Sequence, residues 1–362
     1  MAMISETLSK RRMYGRGVPM ALVSAALFGA STPFAKLLLG NGVNPWLLAG
    51  LLYLGSGIGL AGMQLVRRLA SLPPSEAPLR RADLPWLGLV VLSGGVVGPV
   101  LLMLGLASTP ASSASLLLNL EGLATMVIAW TVFRENVDRR ILIGASAILA
   151  GAIVLSWQHG PSGFGWGSLL IAGACLAWGI DNNLTRKLSA ADPIQITTVK
   201  GLVAGSVSLA LAFAAGADLP APRALAGAAV LGFFAYGVSL VLFVFALRYL
   251  GSARTGAYFS IAPFIGAALA VVIFSEPVSP QLAAAAVLMG IGLYLHLGER
   301  HAHEHSHEAM EHEHQHIHDE HHHHVHAPND TPGEPHTHRH RHAPLAHCHT
   351  HFPDLHHRHG HG

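Results

Sequence analysis

The sequence predicts an all-α integral membrane protein: ten transmembrane helices arranged as two inverted five-helix repeats, followed by a disordered His-rich C-terminal tail. Three observations carry this. Only 12% of the 362 residues are charged while 51% are hydrophobic, against about 25% charged in an ordinary soluble chain. Lys and Arg crowd into alternate connections between the apolar runs. The two halves also repeat short aromatic and polar signatures at fixed spacing.

Residues 1–17 read as a cytoplasmic N-terminus and hold Lys10, Arg11, Arg12 and Arg16. A basic start before an apolar run resembles a secretion leader. The run that follows has no convincing cleavage site and is the first of many, so the first helix is expected to be retained. Apolar segments fall at 18–38, 45–66, 84–107, 111–133, 140–158, 165–185, 194–215, 224–247, 254–275 and 279–298, each near the ~20 residues that a bilayer requires. Gly and Pro mark the connections at 40–44, 161–165, 220–222 and 277–280.

Fifteen basic residues lie in one set of connections: Lys10, Arg11, Arg12, Arg16, Arg67, Arg68, Arg80, Arg81, Arg134, Arg139, Arg140, Arg186, Lys187, Arg248 and Arg254. The other set holds Lys36 and Arg223. Positive loops stay in the cytoplasm, so both termini are expected there, in a multi-pass protein of the cell's inner (plasma) membrane. The alternation requires an even number of spans.

The internal repeat is read from charged and aromatic positions. Phe28-Gly29 is followed by Lys36, and Trp178-Gly179 by Arg186 at the same distance. Val132-Phe133-Arg134-Glu135-Asn136-Val137 parallels Ile273-Phe274-Ser275-Glu276-Pro277-Val278, and in that register Gly151 falls on Gly292. The repeats are read as 18–158 and 165–298. Five is odd, so the halves insert in opposite senses, and inverted repeats are a device by which transporters open one midplane site to either side in turn.

These elements, with Leu117-Leu118-Asn119-Leu120-Glu121-Gly122, Ala129-Trp130, and Ser260-Ile261-Ala262-Pro263 to Glu276, resemble the drug/metabolite transporter superfamily, in its EamA-type branch, over about residues 18–298. The resemblance implies a ten-helix inverted-repeat fold, a central cavity, and secondary transport, often export, of metabolites such as amino acids. Gly122 stands where members of that family often carry Pro.

Polar groups within spans are the candidates for function, because hydrocarbon penalises them unless they face a cavity or a partner. Glu121 sits near the middle of the fourth span. It could take up and release a proton during transport, or be a structural carboxylate paired with a buried base or backbone donor. Asn119 lies about 200° from Glu121 around an ideal helix. It shares a small polar stripe with Ser112, Ser115, Gly122 and Met126, which reads as cavity lining or close helix contact and leaves Glu121 to face a neighbouring helix. Trp178, Asp181, Asn182 and Thr185 form a stripe in the sixth span. Asp181 could neutralise a cationic substrate, but the reading preferred is a salt bridge to Arg186 or Lys187. Trp178 could pack, anchor at the interface or face substrate. Lys200 is expected to snorkel to the cytoplasmic face. Tyr236, Ser239 and Tyr258 offer mid-depth hydroxyls for a ligand or a neighbouring backbone. Gly94, Gly95, Gly98 and Pro99 point to a tightly packed or kinked third helix.

From residue 299 the composition changes. Of 26 histidines, only His159 and His296 precede His301. They alternate as His301, His303, His305, His307 and His312, His314, His316, His318, run together as His321, His322, His323 and His324, and resume at His336. Low apolar content predicts disorder for 299–362. Imidazole is a ligand for Zn, Ni, Co and Cu, so the tail is expected to bind divalent metal, although no cofactor is required.

The net charge of +2 favours no nucleic-acid partner. Cys175 and Cys348 stand far apart and imply no disulfide framework. No Walker loop is present and no enzyme constellation is visible, so the chain is not read as an enzyme. The expected partners are the lipid bilayer and a small-molecule substrate. Small residues in the last span (Ala283–Ala286, Gly290, Gly292) suit helix pairing and allow a homodimer. The leading expectation is a proton-coupled secondary transporter, in the export direction, for a small organic metabolite. The alternatives are a divalent transition-metal exporter whose tail collects its substrate and a non-transporting membrane sensor of metal or pH.

Overall fold

The structure, a computed structural model, describes residues 2–71, 79–133, 139–157, 165–185, 188, 192–250, 252–297, 301–307, 310–316, 336–342 and 345–351. As far as residue 297 it is built from helices. In chain order these are α1 (Ala2–Gly40), α2 (Pro45–Leu69), α3 (Leu84–Val90), α4 (Gly98–Ser108), α5 (Ala111–Leu117), α6 (Leu120–Phe133), α7 (Arg139–Ser156), α8 (Trp166–Thr185), α9 (Pro193–Ala214), α10 (Pro222–Gly232), α11 (Ser239–Leu250), α12 (Ser252–Phe259), α13 (Ala262–Phe274) and α14 (Pro280–Leu297). Among the described residues, seven helical segments are long and apolar enough to cross a membrane: 17–40, 45–69, 81–108, 111–132, 139–156, 193–214 and 222–246. The runs expected at 254–275 and 279–298 contain shorter apolar helices, Ala262–Phe274 and Pro280–Leu295, and the run at 165–185 is α8. Basic residues 10–16, expected to precede the first helix, lie within the N-terminal extension of α1.

Local chemistry explains the helix starts. Asn44 precedes Pro45, and its side chain accepts from the amides of Trp46 and Leu47 (2.9 and 3.3 Å). Asp192 precedes Pro193 and accepts from the amide of Ile194 (2.8 Å). A polar N-cap followed by Pro at the first helical position satisfies one orphan donor and removes another.

Two charged side chains grip the turn between α4 and α5. The Lys36 ammonium donates to the carbonyls of Leu106, Ala107 and Thr109 (2.5, 3.1 and 3.0 Å) at the end of α4. The Glu276 carboxylate accepts from the amides of Ala111 and Ser112 (2.8 and 3.1 Å) and from the Ser112 hydroxyl at the start of α5. A cation thus meets a negative helix end and an anion a positive one. The Phe-x-Glu element read from the sequence therefore ties one half of the chain to the other. Glu276→Ala is expected to lower stability by about 1–2 kcal/mol. The check is the unfolding temperature in detergent, which Glu276→Gln should partly restore.

Glycine permits the closest helix contacts. A Cβ on Gly292 would meet the Gly144 carbonyl at 2.5 Å, and one on Gly151 would meet the Ala285 carbonyl at 3.0 Å, so α7 and α14 pack backbone to backbone. The two glycines matched by the repeat lie on the same interface. The small residues Ala285 and Gly292, expected to suit a homodimer, are thus engaged by α7 of the same chain.

Strands β1 (His301–His307) and β4 (Leu345–His351) pair antiparallel, as do β2 (Met310–His316) and β3 (His336–His342). Alternation at a period of two is strand periodicity, and it suits these segments to pairing despite their polarity. His318 and His321–His324 lie outside the described residues.

Candidate functional site

The third apolar segment is not a continuous α-helix. Val91–Val97 forms a π-helical stretch between α3 and α4, and the Gly98 amide bonds back to the Ser93 carbonyl. The residue five positions after Gly94 is Pro99, which has no N–H to give. The Gly94 carbonyl is thereby released from the helix ladder. The Tyr53 hydroxyl donates to it at 2.7 Å and the Trp178 indole N–H at 3.0 Å. π-turns of this kind gather at functional sites.

A second π-helical stretch, Phe233–Val238, joins α10 to α11. Its fourth residue is Tyr236, as Gly94 is the fourth of the first stretch. The Tyr236 ring lies 5.5 Å from Tyr53 and edge-on to Phe28 at 5.9 Å, and its side chain is hydrogen-bonded with Ser31. Both π-turns thus converge on Tyr53, which is 8% exposed.

Beside them lies a largely buried ion pair. Asp181 of α8 bonds Lys200 of α9, and Thr185 donates to the same carboxylate at 3.4 Å. Gly94 makes room for it, since a Cβ there would overlap the Asp181 carboxylate. Gly98 likewise admits the Trp178 indole, and Gly95 packs against Ala204. The glycine cluster in the third segment is thus a seat for the polar side chains of α8.

Glu121 stands in the first turn of α6, where an acid complements the helix dipole. The helix is interrupted just before it, by a turn between α5 and α6 at Leu118-Asn119. Asn182 donates to the Glu121 carboxylate at 3.0 Å and to the Thr125 hydroxyl at 3.1 Å, while Asn183 donates to the Thr125 carbonyl at 3.1 Å. Glu121 therefore faces α8, and Asp181 and Lys200 both act on it electrostatically. The resulting cluster joins Glu121, Asp181, Asn182 and Lys200, with Tyr53, Trp178 and Tyr236 around it.

Lys200 and Asp181 take partners other than those expected, and the remaining candidates each settle into one place. Asn119 is not part of this cluster: it is 8% exposed and donates to the Leu116 carbonyl at 2.8 Å and toward the Met289 sulfur at 3.8 Å. It makes the close helix contact that was one of its two readings, against α14. Lys200 does not snorkel, because Asp181 offers it a buried counter-charge. Asp181 takes Lys200 as its partner, and Arg186 and Lys187 lie outside the described residues. Trp178 is held at the Gly94 carbonyl. Ser239 exchanges hydrogen bonds with Ser24, hydroxyl to carbonyl in both directions (3.0 and 2.7 Å), so it clasps α1 to α11. Tyr258 packs beside Ala21 and Ala246. Tyr53 and the Gly94 carbonyl were not singled out from the sequence. Pro99 following the glycine pair was the legible sign of a freed carbonyl. No group of three or more His, Cys, Asp or Glu able to hold a metal ion occurs among the described residues searched.

Apolar helices crossing a bilayer around a buried charged cluster, with helices interrupted beside it, define a multi-pass membrane transporter. The chain belongs to the EamA-like transporter family, whose model matches residues 15–157 and again 165–298, and with it to the drug/metabolite transporter superfamily. Among its relatives is an uncharacterized transporter of Methanothermobacter thermautotrophicus, 28% identical over 294 residues and covering 77% of this chain and 84% of the relative. The uncharacterized inner membrane transporter YedA of Escherichia coli K12 is 25% identical, over 72% of this chain and 83% of that protein. A probable terminal-alkyne amino-acid exporter of Streptantibioticus cattleyicolor is 25% identical, over 65% of this chain and 82% of that protein.

Proposed function

We propose that the chain is a proton-coupled secondary exporter of a small organic metabolite. It works from the inner membrane through ten spans in two inverted halves, with both termini cytoplasmic. The observation that carries the coupling is the contrast between two neighbouring carboxylates. Asp181 is bonded by the cation Lys200, whereas Glu121 is bonded by the neutral amide of Asn182. A carboxylate held in the bundle by a neutral partner is suited to take a proton, or the ammonium group of a substrate, and to release it when the surroundings change.

The two-half reading draws on recurrence. The π-stretches begin at Val91 and Phe233, and the breaks fall at Leu118-Asn119 and Ser260-Ile261. Each pair has the same separation along the chain. Interrupted helices at corresponding positions of two halves are a pointer to a transporter's binding site, and the double match of the family model points the same way. The division of loop charges supports the orientation, and the names of two relatives, an exporter and an inner membrane transporter, support direction and location.

The test is reconstitution. Purified protein in liposomes with an imposed pH gradient is expected to move amine-bearing zwitterions, amino acids first among them, faster than protein-free vesicles. No flux of any candidate under any gradient would overturn the reading in favour of a non-transporting sensor.

A further inference from the structure

We infer that Lys36 and Glu276 form a charged latch on the outer face of the exporter, and that this latch must let go of the α4–α5 turn before substrate can leave. The inference rests on the transport reading and its orientation, and adds to it the contact that holds one side of the site shut. Lys36 is one of the two basic residues in the set of connections that the loop charges place outside. The turn between α4 and α5 and the segment that holds Glu276 belong to the same set.

The two interrupted helices meet on one side of their breaks and turn apart on the other. On the outer side α5 packs against α13. Ala111, Ser112, Ala114, Ser115, Leu116 and Leu117 of α5 are all buried. A Cβ on Gly266 of α13 would meet the Ser115 hydroxyl at 2.8 Å and the Gly29 carbonyl of α1 at 2.6 Å, so α1, α5 and α13 close together there. On the inner side α6 packs against α8, and α12 against α1 and α11. A Cβ on Gly122 of α6 or on Gly256 of α12 would meet nothing within 4 Å, and Glu121 stands next to Gly122. The site is thus shut outward and has slack toward the cytoplasm.

What holds the outer side shut is polar. Glu276, from the second half, takes the Ala111 and Ser112 amides and the Ser112 hydroxyl, and Lys36 takes the carbonyls of Leu106, Ala107 and Thr109. The two charges also act on each other across the turn. At its closest approach the seam beneath them is built from Gly29, Ser115, Ala262 and Gly266. Such small residues bury little apolar surface and offer little resistance to parting. The hydrogen bonds of the clamp can be exchanged for bonds to water when the turn swings away, so their net cost of release is modest. A few charge-assisted bonds over a smooth seam suit a contact that is made and broken in every cycle.

The experiment labels Ser115→Cys with a membrane-impermeant charged thiol reagent added outside intact cells, in a full-length chain whose Cys175 and Cys348 are replaced by Ala. Ser115 is 1% exposed, so its thiol should react slowly while the seam is shut. Adding Lys36→Met or Glu276→Ala is expected to speed labelling by about tenfold or more, because each removes charge-assisted bonds from the closed state. A parallel chain keeps the buried Cys175 as its sole cysteine, and it should stay unlabelled in both variants. Labelling of Ser115→Cys unchanged by either variant would overturn the latch and leave the transport reading standing. Labelling of Cys175 as well would also overturn it, since the clamp would then be holding the whole bundle together. Faster labelling only in inverted membrane vesicles would overturn the proposed orientation, and with it the outer placement of the latch.

Discussion

Glu121→Gln is expected to abolish the response of transport to a pH gradient while leaving the protein folded and inserted. Gln keeps the shape of the side chain and can still accept from Asn182 through its carbonyl, so the contact between α6 and α8 survives. What is lost is the exchangeable proton and the negative charge. A hydrogen bond to a charged group is worth roughly 1.5–3 kcal/mol, and each 1.4 kcal/mol is about tenfold. Affinity for an ammonium-bearing substrate should therefore fall roughly ten- to a hundredfold, and flux should no longer follow the imposed gradient. The assay is uptake into inverted proteoliposomes at several internal and external pH values. PH-dependent flux retained by Glu121→Gln would refute the coupling role and return Glu121 to a structural one. Asn182→Ala separates positioning from chemistry. It removes the amide that orients Glu121, so it should weaken substrate affinity yet preserve the pH response.

The second large effect concerns the ion pair. Lys200→Met leaves Asp181 wedged against Gly94 without its cation. Breaking a buried pair on one side typically costs about 3–5 kcal/mol, whereas replacing both members with apolar groups of similar size is often nearly neutral. Lys200→Met and Asp181→Leu alone should each lower the unfolding temperature markedly, and the double variant should regain most of the loss. A double variant as unstable as the two single effects added together would show that the pair is not energetically coupled. The same double variant is expected to fold yet transport poorly, because the field that Asp181 and Lys200 exert on Glu121 would be gone. Stability and transport should therefore separate in this one protein.

The outline of the fold was legible because hydropathy reports each segment independently. The run read as 84–107 lies in the observed segment 81–108, and that read as 45–66 lies within α2. The interruptions were not legible in the same way. An apolar window averages over Leu118-Asn119 and Ser260-Ile261 and registers neither break. Asn119 was read as cavity lining or close helix contact, and it makes the second, bonding the Leu116 carbonyl and reaching Met289 of α14. Lys200 shows another limit. A basic residue a few positions inside a span snorkels unless a carboxylate waits on the next helix, and the pairing of α8 with α9 across Asp181 is a tertiary fact. The paired motifs succeeded further than their residue types suggested. Gly151 and Gly292 meet on one interface, and Glu276 crosses from the second half to cap α5.

The proposed activity is the movement of a small organic metabolite out of the cell. It is tested most directly by comparing the metabolites in culture medium from three strains: one lacking the protein, one expressing it, and one expressing Glu121→Gln at equal abundance. At least one small amine-bearing compound is expected to accumulate outside the expressing strain and to fall toward the level of the deletion strain with Glu121→Gln. Identical extracellular profiles in all three strains, with the protein verified in the membrane, would contradict it.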